Sequence, residues 1–90
     1  MKIANDRFLK RILSQTYFLS PRTMIKLLNG DNIVGYLDTI SYRYFLLKNK
    51  KKGYTVIPKE DVQSIIIGDV EYHYVNELSI DSYSVFYKIK

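Results

Sequence analysis

A chain of 90 residues is long enough for one small domain with a single core and little stability in reserve. Fourteen Lys and Arg against nine Asp and Glu give a formal net charge of +5, a balance that suits an anionic partner and equally serves solubility. With no cysteine, a disulfide framework, a thiolate metal site and a Cys/His pair are excluded, and the only histidine, His73, sits between two tyrosines in a strand-like run, the setting of a packed or surface residue. No apolar run approaches the roughly 18 residues of a membrane span. Asn5, Asp6, Arg7, Lys10 and Arg11 interrupt any leader-like core. The expectation is a soluble cytoplasmic protein that is not an enzyme and carries no metal or cofactor.

Residues 5–19 carry a helical period. Phe8 and Ile12 are four apart, as are Leu9, Leu13 and Tyr17, with Arg7, Lys10 and Arg11 on the other face. Asn5 or Asp6 can cap the start, and Pro21 marks the end. Thr23–Leu28 then alternates as a strand and runs into Asn29-Gly30, a hairpin signal because a type I′ turn needs positive φ that Asn and Gly tolerate. Ile33–Ile40 is the returning strand. Gly35 within it fits a sharp bend or a close approach of another backbone. Tyr42–Lys48 is an aromatic-rich strand, and Asn49–Gly53 is a loop holding Lys50, Lys51 and Lys52. That loop reads first as a solvated tip and second as a phosphate-steering element.

Tyr54–Ile57 is a short strand ended by Pro58, and Val62–Ile67 is nearly all apolar, as a strand covered on both faces would be. In residues 69–90, Val70, Tyr72 and Tyr74 alternate with polar neighbours, as do Tyr83, Val85, Tyr87 and Ile89. This spacing predicts an added hairpin. Adjacent carboxylates such as Glu60 and Asp61 point to opposite faces of a strand, so they make a poor cation site.

Leu27-Leu28-Asn29-Gly30, the second glycine at Gly35, Leu46-Leu47-Lys48-Asn49 and Pro58-Lys59-Glu60-Asp61-Val62-Gln63-Ser64-Ile65 together resemble the Sm/LSm family, most closely its bacterial Hfq branch. Asn5–Leu9 extends the resemblance weakly. It covers about half the chain. What it implies is a small, bent, five-stranded antiparallel barrel over residues 23–67, with the N-terminal helix and the C-terminal hairpin appended. It further implies a hexameric or heptameric ring, closed by pairing residues 54–57 of one copy with residues 62–67 of the next, which binds single-stranded RNA, U-rich or A-rich.

Carried over by position, the resemblance makes Lys59 the pore-lining cation and Asn5 a reader of a uracil edge. Arg43, flanked by Tyr42 and Tyr44, stands at the base-stacking position, and Lys26 at an adenine-stacking position on the opposite face. Lys10 and Arg11 lie near the RNA-binding rim. Ser41, Arg43 and Glu60 depart from the family pattern. The alternative reading of the same barrel is a protein-interaction or structural scaffold that binds no RNA.

Overall fold

The computed structural model describes residues 2–15 and 22–76. Its elements in chain order are β1 (Lys2–Ala4), α1 (Asp6–Gln15), β2 (Arg22–Leu27), β3 (Asn32–Ile40), β4 (Tyr44–Asn49), β5 (Gly53–Pro58), a single 3-10 turn (Lys59–Asp61), β6 (Val62–Ile67) and β7 (Val70–Tyr74). The mainly β expectation holds, and the strands fall within one or two residues of the predicted runs. Residues 16–19 of the predicted helix, Pro21 and the second half of the predicted C-terminal hairpin lie outside the described residues.

All strands join one open sheet in the order β1-β7-β6-β2-β3-β4-β5. Among the described residues the sheet has seven strands: the five expected over residues 23–67 are β2–β6, the first arm of the expected C-terminal hairpin is β7, and β1 was not expected. Every neighbouring pair is antiparallel except β1 with β7, which run parallel with Ile3 opposite His73. The strand predicted at Val70–Tyr74 exists, but it pairs back onto β6, where Ile65 faces Tyr72. Lys2–Ala4 then lies on its far side. Three residues are too few for a period-2 pattern to register, so β1 carried no signal.

The Asn-Gly hairpin is also present, with different turn chemistry. Asn29 does not adopt positive φ; Gly30 does, at +97°. Gly30 N–H donates to Leu27 C=O (3.0 Å) and Leu27 N–H to Asp31 C=O (2.8 Å). The connection is therefore a three-residue loop with glycine in the left-handed position, not a two-residue type I′ turn. Asn29 serves instead through its side chain, Oδ1 accepting from Asp31 N–H at 2.8 Å.

Two irregularities bend the sheet. Register shifts between Leu37 and Thr39 where β3 meets β4, and between Lys26 and Leu27 where β2 meets β6; such bulges sharpen local twist. At Gly35 a Cβ would lie 2.9 Å from the Lys48 carbonyl oxygen and 3.2 Å from Leu47 Cδ2. The backbones of β3 and β4 thus close to a distance no side chain permits.

The concave face so formed is filled by Ile25, Leu37, Phe45, Leu47, Ile57 and Ile65, all essentially inaccessible. Leu9 of α1, also fully buried, packs into that core together with Ala4. Asn5 caps α1, as one of the two predicted candidates: its Oδ1 accepts from Phe8 N–H (2.9 Å) and its C=O from Leu9 N–H (3.0 Å). Rings join helix to sheet at Phe8–Tyr72 (5.0 Å) and β4 to β7 at Phe45–Tyr74 (5.1 Å). Edge-tilted contacts of this kind add modestly to area burial.

Candidate nucleic-acid interface

The convex face of the sheet gathers what the concave face excludes. Register places Arg22 opposite Tyr36, Tyr36 opposite Lys48, and Lys48 opposite Tyr54. Residues directly opposite share a face, so cation, ring, cation and ring cross four adjacent strands in one row. All four are exposed. Lys48 Nζ stands 5.9 Å from the Tyr54 ring centroid, within cation–π range.

A second row sets Thr39 against Leu46 and Leu46 against Val56, and a third sets Tyr44 beside Pro58. Val56 is 59% exposed and Tyr54 57%, two residues apart on the same face of β5. Below Arg22 and Tyr36 the same face dips into an open hollow lined by Met24, Val34 and Ile66 and rimmed by Arg22 and Asp69. The lysine loop 50–52 joins β4 to β5 at the hairpin end next to Lys48 and Tyr54. Its shape comes from Asn49, whose Oδ1 accepts from Lys51 N–H (2.9 Å) and Lys52 N–H (3.4 Å).

The residues singled out from the sequence divide between the faces. Tyr42, Arg43 and Tyr44 cluster where β3 turns into β4, with Ser41 N–H donating to Tyr44 C=O at 2.9 Å. Tyr42 is 69% exposed, and the Arg43 guanidinium lies 5.8 Å from its ring centroid. The predicted third strand thus begins at Tyr44, leaving Tyr42 and Arg43 in the turn. Lys26 is half-buried on the convex side, 3.5 Å from Glu71, which also accepts from Ser64 Oγ at 3.0 Å. Lys10 and Arg11 are exposed on α1, which covers the concave side. Asn5 is held there by its capping role.

Lys59 is the largest departure. Its side chain is 2% exposed and points into the concave side, 5.5 Å from the Phe45 ring centroid. The ammonium is ion-paired with Asp6 Oδ2 and donates to the Tyr42 carbonyl at 3.2 Å. Asp6 Oδ1 in turn accepts from Tyr74 O–H at 2.6 Å. This closed triad ties the first residue of α1 to the 3-10 turn and to β7, and it leaves Lys59 no face toward solvent. An Asp–Lys pair spaced by half a chain gives no local sequence signal, so the role implied by position was the only one visible.

The ring pairing meets a similar obstacle. β6 is already bounded by β2 and β7, so residues 62–67 have no free edge for residues 54–57 of another copy while β7 stands where it does. The signal missed in the sequence was the cross-strand row itself. Arg22, Tyr36, Lys48 and Tyr54 are separated by 6 to 14 positions and align only once both hairpin registers are fixed.

Comparison with family models, curated proteins and solved structures finds no match for this chain. Among the described residues there is no cluster of three or more His, Cys, Asp or Glu able to hold a metal ion, and no helix is long and apolar enough to cross a membrane.

Proposed function

We propose that this chain is an RNA-binding protein on an Sm-type bent sheet, and that it receives single-stranded RNA across the convex face of β2–β5. The observation that carries the proposal is the row Arg22–Tyr36–Lys48–Tyr54. Exposed rings offer stacking surfaces to bases of any identity, and cations set between them lie within reach of the phosphates that link those bases. Leu46 and Val56 extend the apolar floor, and the loop 50–52 adds charge where a strand would leave the row. In the stretch from β2 to β6, the outermost strands are β5 and β6, the two that the Sm-family resemblance requires at the borders. That agreement supports the Sm-type reading.

Fluorescence anisotropy with short U-rich and A-rich RNAs across a salt series tests the proposal. Tyr54→Ala and Tyr36→Ala should each weaken binding by about 1–3 kcal/mol, roughly fivefold to 150-fold. Lys48→Ala should flatten the dependence of affinity on salt by about one unit of slope. If Lys59→Met weakens binding as strongly as Tyr54→Ala while the fold persists, the pore position is the site and the convex face is not. The scaffold reading draws on the exposed Val56 and Tyr54 beside an unpaired edge; it predicts no RNA affinity and no salt response.

A further inference from the structure

Among the described residues β5 has a neighbour on one side only, and its chemistry identifies what fits the other side. Lys59 N–H donates to Arg43 C=O at 2.9 Å, continuing the β4–β5 register in which Phe45 faces Ile57 and Leu47 faces Thr55. Antiparallel hydrogen bonding alternates. The backbone groups of Thr55 and Ile57 therefore point to β4, and those of Tyr54 and Val56 point outward. Pro58 has no N–H to offer, which ends the usable edge. A partner strand thus finds two N–H and two C=O groups, all within three residues.

The two ends of this edge carry opposite charge. Lys50, Lys51 and Lys52 precede β5, and Glu60 and Asp61 follow it; all five are exposed. We propose that β5 pairs antiparallel with β5 of a second copy about a two-fold axis at Thr55. Tyr54 of each copy then exchanges both backbone hydrogen bonds with Val56 of the other, which satisfies every outward N–H and C=O of these two residues in both copies. The same rotation lays the lysine loop of each copy against the Glu60–Asp61 turn of its mate, twice per dimer. A parallel arrangement would bring lysines to lysines and acids to acids. The interface is isologous and closes at two, unlike a head-to-tail ring. It rests on the edge and its charges, independently of any RNA.

The test uses the full chain. Sedimentation velocity from micromolar to millimolar concentration should show a monomer–dimer equilibrium. Hydrogen exchange should show Tyr54 and Val56 amides protected only where the dimer is populated. Glu60→Lys with Asp61→Lys should weaken dimerisation several-fold, as should Lys50→Glu with Lys51→Glu, and all four changes together should restore it. These side chains are solvent-exposed, so circular dichroism should be unchanged. A monomer at every concentration overturns the proposal. So does protection of Tyr54 and Val56 in the monomer, which would mean that another part of the chain, such as residues 77–90, covers the edge. So does a charge swap that fails to restore what the single reversals remove.

Discussion

Lys48 and Lys59 hold their ammonium groups over aromatic rings at nearly the same distance, 5.9 Å from Tyr54 and 5.5 Å from Phe45. They are nevertheless opposites. Lys48 belongs to the convex face, where Tyr36 and Tyr54 flank it and water surrounds it. Lys59 belongs to the concave face, 2% exposed, where an anion and a carbonyl meet its protons. A buried charge requires such partners because removal from water costs several kcal/mol. An exposed charge beside bare rings has no structural requirement to meet. The convex cation is thus free to serve binding, and the concave one is committed to holding α1 in place.

The sharpest way to break this contrast is at the concave side. Asp6→Ala takes the counter-charge from the buried Lys59 ammonium, and chemical denaturation should register a loss of about 3–5 kcal/mol. Lys59→Met should cost clearly less, because the Asp6 side chain is already 24% exposed and can hydrate once its partner is gone. If the two substitutions cost the same, the asymmetry of burial is not what governs the pair. Gly35→Ala probes the bend that separates the faces. A Cβ at 2.9 Å from the Lys48 carbonyl forces β3 from β4 and should lower stability by about 1–3 kcal/mol. On the convex side Tyr54→Ala should change stability by less than about 0.5 kcal/mol while weakening RNA binding. Asn5→Ala removes the α1 cap and should cost about 1 kcal/mol in thermal unfolding.

The sequence made the central hairpins legible because their signals are local. Asn29-Gly30, Asn49 with Gly53, and Pro58 punctuate apolar runs at distances that turn chemistry can read. Gly35 was legible for the same reason: a glycine inside a β-branched run implies a close approach, and the Lys48 carbonyl supplies it. What escaped notice depends on pairs remote in the chain. The Lys59–Asp6–Tyr74 triad spans up to 68 positions, and parallel pairing of residues 2–4 with 72–74 leaves no periodic trace. The type of the first turn was misjudged because Asn tolerates positive φ but also makes Asx turns, and only geometry distinguishes the two. Composition puts Tyr42 and Arg43 on a strand; the backbone uses them to turn.

The seam between β1 and β7 bears on how the polypeptide reaches its final shape. A ribosome delivers residues 2–15 well before the strand that receives residues 2–4 and the hydroxyl that binds Asp6, which emerge dozens of residues later. Hairpins between β2 and β5 close over short separations and are expected to assemble early, whereas the opening segment has to wait. Pulse-labelled hydrogen exchange during refolding should find amides of β4 protected ahead of those of α1; simultaneous protection would contradict this order. Of these two segments the one made earlier is then the later to lock, held by the β1–β7 pairing, by buried Leu9 and by the Asp6 carboxylate.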